Sequence, residues 1–140
     1  MFILEFRSID QEETIALWKE CGLISPANNP AEDIRRKQEH SPGLFWVGKL
    51  ENRVVATCMA GYDGHRGWIY YLAVTFGLRR QGLAKRIVSH AENALLSLGC
   101  PKINLMVRKS NGDVLDFYRK IGYQTDSVLV LSKRLFEDKV

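Results

Sequence analysis

Nowhere does the sequence run to the roughly 20 unbroken apolar residues that a membrane-crossing helix needs. Its opening, Met1-Phe2-Ile3-Leu4-Glu5-Phe6-Arg7, is apolar but meets a carboxylate at the fifth residue. It has neither the basic start nor the long apolar stretch of a secretory signal, so a cytoplasmic protein is expected. Cysteine is scarce: Cys21, Cys58 and Cys100 are odd in number and scattered. That excludes a disulfide framework and any Cys-x-x-Cys metal motif, leaving three small buried hydrophobes as the plain expectation. His40, His65 and His90 have no metal-ligand spacing with one another or with a cysteine, so no metal is expected. Repeats, low-complexity tracts and linkers are also missing.

What remains is 140 residues, 46% hydrophobic and 26% charged, which is the composition of one globular domain covering 1–140. The net charge of +4 and pI near 9.1 fit a phosphorylated ligand or weak nucleic-acid contact, and a solvated surface explains them equally well.

Apolar periodicity places the elements. Residues 2–7 read as a strand. Ser8-Ile9-Asp10-Gln11 has capping-box spacing and opens a helix with Ile15, Trp18 and Cys21 on its apolar face, ended by Gly22. A polar, basic helix starts at Asn29-Pro30-Ala31-Glu32, with Asn29 as N-cap, Pro30 in the first turn and Glu32 as reciprocal cap. Its Arg35-Arg36-Lys37 run predicts a surface position. Residues 44–50, 54–60 and 68–74 form a three-stranded antiparallel meander, with a Gly-punctuated loop at 61–67. Beyond residue 82 the period becomes helical: Ala84, Ile87, Val88, Ala91, Leu95 and Leu98 share a face, and Gly99 ends the helix. Strand 103–107 follows, then a helix capped by Asn111 with Val114, Phe117, Tyr118 and Ile121 on one face, then a final strand over Val128–Leu131. Strand 68–74, helix 83–98 and strand 103–107 make a right-handed β-α-β unit with parallel strands. The fold expected is α/β (α+β): a mixed, mostly antiparallel sheet with a parallel pair in the middle, flanked by about four helices.

The most informative residues are Arg79-Arg80-Gln81-Gly82-Leu83-Ala84, between a strand and a strongly periodic helix. A helix start presents unpaired N–H groups and partial positive charge, and so suits a phosphate. Gly82 lets backbone approach an anion, and Arg79, Arg80, Lys85 and Arg86 add positive potential. The run is neither a Gly-x-x-x-x-Gly-Lys-Ser/Thr P-loop nor a Gly-x-Gly-x-x-Gly dinucleotide fingerprint.

Arg79-x-x-Gly82-x-Ala84 after an apolar strand resembles the signature of the GNAT superfamily of N-acetyltransferases. A second match, Asn111 to Tyr123, resembles the family's Asn-x-x-Ala-x-x-Phe-Tyr-x-x-x-Gly-Phe helix, with Val114 for alanine and Tyr123 for phenylalanine. The loop at 61–67 and the turn Gly99-Cys100-Pro101-Lys102-Ile103 are similar to those of the small bacterial YpeA-type acetyltransferases.

The resemblance implies an acetyl-CoA-dependent N-acetyltransferase, with direct attack of a primary amine on the thioester. The acceptor would be a protein N-terminus, a lysine or a small amine. It implies that Arg79, Arg80, Gln81, Gly82, Leu83 and Ala84 hold the pyrophosphate and that Leu72, Ala73 and Val74 meet the pantetheine arm and thioester carbonyl. Asn111 and Phe117 would line the CoA site, and Tyr118 would act as general acid to the CoA sulfur. No carboxylate occurs in Trp68-Ile69-Tyr70-Tyr71, where many relatives place a glutamate base. Asp63, His65 and Tyr70 are the substitutes on offer, His65 having the natural pKa for the task. Other readings are a non-catalytic acyl-CoA sensor on the same fold and a nucleic-acid module. Against the second, the basic residues gather at one helix start and no helix-turn-helix or RNA-binding signature occurs. No nucleic-acid or membrane partner is therefore expected, and an exposed sheet edge near the last strand would permit a homodimer.

Overall fold

A computed structural model describes residues 1–138. Five strands lie in sequence order: β1 (Phe2–Glu5), β2 (Phe45–Leu50), β3 (Arg53–Tyr62), β4 (Gly67–Val74) and β5 (Ile103–Asn104). The first four pair antiparallel and β4 pairs β5 in parallel, as the β-α-β pattern requires. Helices α1 (Gln11–Glu20) and α2 (Pro30–His40) cover one face, and α3 (Leu83–Ser97) and α4 (Gly112–Lys120) the other.

Each face has its own core. Under α3 and α4 lie Trp46, Ala56, Cys58, Ile69, Ile87, Val88, Leu95 and Tyr118. Under α1 and α2 lie Phe6, Leu17, Trp18, Ile34, Phe45, Val47 and Met59, with Phe6 and Phe45 stacked 4.4 Å apart. Beside the second core runs a buried ion pair, Lys49 Nζ to Asp10 Oδ1 at 2.7 Å. The other Asp10 oxygen accepts the Arg7 N–H at 3.0 Å. These partners occupy the charges that burial would otherwise penalise.

Several expectations need correction. A 3-10 turn at Ser8–Asp10 precedes α1, and Asp10, facing Lys49, bonds the chain entry in place of Ser8. The buried face of α1 is Thr14, Leu17 and Trp18, with Ile15 and Cys21 half-buried at its rim, because Trp18 inserts fully and sets the helix rotation. Asn29 caps α2 as expected, accepting the Glu32 N–H, but the Glu32 carboxylate takes Arg35. The helix is the expected surface one, burying only Pro30 and Ile34. Leu98 lies past the end of α3 and is exposed. Cys58 and Cys100 are buried, Cys21 half-buried, and all three are free.

The largest departures concern the last strands. Residues 105–107 leave the sheet, since β5 pairs with β4 only at Gly67↔Ile103 and Trp68↔Asn104. Residues 128–131 form no strand: β5 is too short to template a neighbour, and their side chains stand 59–92% exposed. Among the described residues β5 is thus the sheet's edge.

Candidate active site

The site grows from a fault in β4. Its register with β3 runs Ala60↔Ile69, Met59↔Tyr70 and then, one residue out of step, Thr57↔Ala73 and Ala56↔Val74. The extra residue is a bulge at Tyr71, whose φ of 51° is left-handed, a conformation that a residue with a Cβ adopts only when its surroundings enforce it. The enforcement is visible. The Tyr71 ring stacks on Trp18 with centroids 3.8 Å apart and planes 12° from parallel. The Trp18 indole N–H donates to Thr57 Oγ1, which in turn donates to the Tyr71 carbonyl, both at 2.9 Å. Buried Thr57 thereby satisfies the indole and clamps the bulge with one hydroxyl. Outside, the Tyr71 hydroxyl donates to Asp33 Oδ2 at 2.6 Å, and burial together with that carboxylate pushes its pKa up.

β4 parts from β5 before it reaches the bulge. Pairing ends at Trp68↔Asn104, so from Ile69 onward the edge of β4 on that side has no strand partner. Leu72, Ala73 and Val74 lie along this stretch, with Ala73 and Val74 buried. β4 and β5 thus splay apart along this stretch, a divergence that no sequence pattern displays.

At the end of β4 the chain turns through a 3-10 turn at Phe76–Leu78 into α3. Gly82 is the N-cap of α3, at φ 78° and ψ 8°, and Arg80 is also left-handed at φ 66°. The Arg86 N–H bonds back to the Gly82 carbonyl at 3.1 Å. The amides of Leu83, Ala84 and Lys85, being first-turn donors, have no carbonyl within the helix. A Cβ placed on Gly82 would meet nothing within 4 Å, so the turn is open to a ligand. Not all the basic residues face it. Arg79 donates to the Val74 carbonyl at 3.1 Å and lies 3.9 Å from the Phe76 ring, while Arg86 donates to the Met1 carbonyl. Their guanidinium groups brace the loop. Arg80 and Lys85 remain exposed beside the turn.

From α4, Asn111 Oδ1 caps the helix by accepting the Val114 N–H at 3.3 Å. Phe117 packs half-buried against the core. Tyr118 is 5% exposed, edge-on to Phe117 and to Tyr123 at 5.1 and 5.3 Å. Its hydroxyl bonds to none of the described residues, and burial raises its pKa, so the phenol keeps its proton at neutral pH.

Asp63 and His65 lie elsewhere. Both are exposed in the loop before β4, where Asp63 Oδ1 accepts the His65 and Arg66 N–H groups at 2.8 Å, holding its pKa below the ordinary value. Leu72 is five residues past Gly67, roughly 15 Å along a strand. The structure does not bring these two residues to the splay. Tyr70 is nearer, 40% exposed and stacked on Trp68. Sequence reasoning passed over Asp33, Thr57 and Trp18. The signal on offer was Tyr70-Tyr71 in a strand otherwise alternating between faces, since two large polar aromatics in succession cannot both follow a period of two.

A model of the Acetyltransferase (GNAT) family matches residues 3–123. The chain belongs to the GNAT family. It is similar to an acetyltransferase of Sodalis glossinidius, 49% identical across 99% of both chains, and to a protein of Yersinia pestis described as an uncharacterized N-acetyltransferase, 44% identical across 99% of both. Among solved structures, a putative acetyltransferase from Agrobacterium tumefaciens superposes with a TM-score of 0.78 at 17% identity, covering 96% of this chain and 100% of that one. AAC(6')-Iy in complex with the bisubstrate analog CoA-S-monomethyl-acetylneamine gives 0.77 at 14% identity, covering 95% and 97%. Such identities establish the fold alone. Family and relatives together identify this GNAT protein as an N-acetyltransferase. Among its described residues no helix is long and apolar enough to cross a membrane, and no group of three or more His, Cys, Asp or Glu could hold a metal.

Proposed function

We propose that this enzyme moves an acetyl group from acetyl-CoA to a primary amine by direct attack of the amine on the thioester. The observation that carries the reading is the open edge of β4, joined by one 3-10 turn to the amide-rich start of α3 at Gly82. A pantetheine arm can add to that edge as a short strand would, and the first amides of α3 suit a pyrophosphate. A solved structure of the same fold holding a CoA-containing bisubstrate analog supports this placement.

Each residue then has a task. Along Leu72, Ala73 and Val74 the amides alternate between edges, so those of Leu72 and Val74, on either side of Ala73, are offered to the arm and to the charge that builds on the thioester oxygen. Arg79 to Ala84 hold the pyrophosphate through their backbone, with Arg80 and Lys85 supplying field. The amide nitrogen of Asn111, whose oxygen is used in capping, and the ring of Phe117 border the arm. Tyr118, kept protonated by burial, donates to the departing thiolate. The amine must lose a proton to become nucleophilic. Asp63 and His65 serve that step only through water, given their distance. The reading places the reaction in a bacterial cytoplasm, supported by bacterial relatives and three free thiols. The free edge of β5 and the exposed apolar segment 128–131 support a homodimer, which sedimentation tests.

Calorimetry with CoA, followed by labelled acetyl-CoA with a panel of amines, tests the function. Heat of binding and label transfer are expected. Absence of binding would remove the donor, and binding with no transfer to any amine would return the chain to the sensor reading.

A further inference from the structure

Acetyl transfer leaves the space beside Asp33 unused. A cavity of about 430 Å³ opens between the loop at Ala27 and Asn28, the α2 residues Asp33 and Arg36, and the chain at 132–136 with Asp138. That size suits a small molecule. Its wall reaches the reacting centre by a short route: Asp33 Oδ2 accepts the Tyr71 hydroxyl, and Tyr71 is the bulge residue immediately before Leu72. Asn28 Nδ2 lies 3.5 Å from the same hydroxyl.

The charges of the cavity are not balanced. Arg36 sits between Asp33 and Asp138 and pairs with both. Asp33 accepts one hydrogen bond on each oxygen, from Arg36 at 3.1 Å and from Tyr71, and an ionised carboxylate has lone pairs for more. Lys133 and Arg134 line the same space and pair with no described residue. The cavity therefore offers a carboxylate on its Tyr71 side and two cations with no counter-ion. The family model ends at residue 123, whereas similarity to the Sodalis and Yersinia proteins spans 99% of the chain. The wall at 132–138 lies outside what the family model describes, where acceptor selectivity is free to differ.

We propose that this cavity binds the acceptor, and that the acceptor is a small amine bearing an anionic group. Its ammonium is held at Asp33 beside Tyr71, and its carboxylate or phosphate is held by Lys133 and Arg134. This rests on the acetyltransferase reading and narrows it, setting aside protein N-termini and lysine side chains. A charge-assisted pair at each end orients the molecule with its nitrogen toward the splay.

The test is binding to the protein already saturated with CoA, which needs no turnover. β-Alanine and O-phosphoethanolamine carry the anion, propylamine lacks it, and a lysine-containing peptide stands for macromolecular acceptors. Calorimetry should show at least about tenfold tighter binding of one anion-bearing probe than of propylamine or the peptide, as one charge-assisted contact supplies. The better of the two identifies the anion. The double variant Lys133→Ala/Arg134→Ala, both exposed, should abolish that preference while CoA affinity and acceptor-independent hydrolysis of acetyl-CoA stay unchanged. Equal binding of all probes, preference for the peptide, no binding of either anionic probe, or a preference that survives the double variant would each overturn the proposal. Failure of CoA itself to bind would instead overturn the function on which it rests.

Discussion

The two faces of the sheet are built differently. On the α3/α4 face, helices with apolar periodicity lie over a core that mixes aliphatic side chains with edge-on rings such as Trp46 and Tyr118, and both termini facing the site are capped by a residue whose type suits the job, Gly82 and Asn111. On the α1/α2 face, stacked aromatics, a buried ion pair and the Trp18–Thr57–Tyr71 chain of hydrogen bonds do the work. The first face offers regular backbone to a ligand of constant shape. The second uses side chains to deform a strand and shape a cavity.

Four substitutions and their measurements sharpen that contrast. The largest effect is expected on the donor side. Tyr118→Phe keeps the packing and removes the proton, so turnover should fall by about 10²- to 10⁴-fold while calorimetry finds CoA affinity unchanged. Unchanged turnover would strike Tyr118 from the mechanism. Next, Lys49→Met leaves Asp10 buried without its counter-ion, and denaturant unfolding should show a loss of about 3–5 kcal/mol. A loss below about 1 kcal/mol would mean that Asp10 is satisfied without the lysine. Third, Thr57→Val should cost about 1–3 kcal/mol, because the Trp18 N–H and the Tyr71 carbonyl both lose a partner. If the clamp sets the bulge, turnover should fall as well. Stability loss with full activity would confine Thr57 to packing.

The smallest effect concerns Lys37, whose amine donates to the Ala60 carbonyl in a half-buried setting. Burial lowers its pKa from 10.5 to about 8. Between those values the unfolded chain binds a proton that the folded one does not, so this group makes stability rise with pH across that window. Below pH 8 both states are protonated and the contribution is flat. Lys37→Met should therefore show a shallower rise than the parent protein between pH 8 and 10.5 in parallel unfolding curves. Superimposable slopes would show that the lysine titrates as it does in water.

Legibility followed the same division. Period, caps and glycines are local signals, and they located α3, α4, the meander and the Gly82 turn to within a few residues. The turn at Gly82 and the capped helix at Asn111 could be placed from two motifs for that reason. The α1/α2 face depends on encounters that no local pattern encodes: Trp18 with Tyr71 across 53 positions, and Asp33 with Tyr71 across 38. Asp33 reads in sequence as one more charge on a polar helix. The segment at 128–131 shows the opposite error, since its β-branched and leucine run has the composition of a strand but finds no edge long enough to join. Propensity proposes an element, and pairing decides it.

The bulge at Tyr71 also changes the parity of β4. Tyr70 and Tyr71 both point toward α1 and α2, so every side chain after them is transposed relative to a plain strand, and Leu72 falls on the donor side. Deleting either tyrosine would restore simple alternation and regular pairing with β3, with Leu72 and its successors still on the faces they occupy now. Such a shortened chain would have a more regular β3–β4 ladder and no Trp18–Tyr71 clamp on it. Here a counting irregularity of one residue is what lets two successive tyrosines share a face, one of them reaching Asp33.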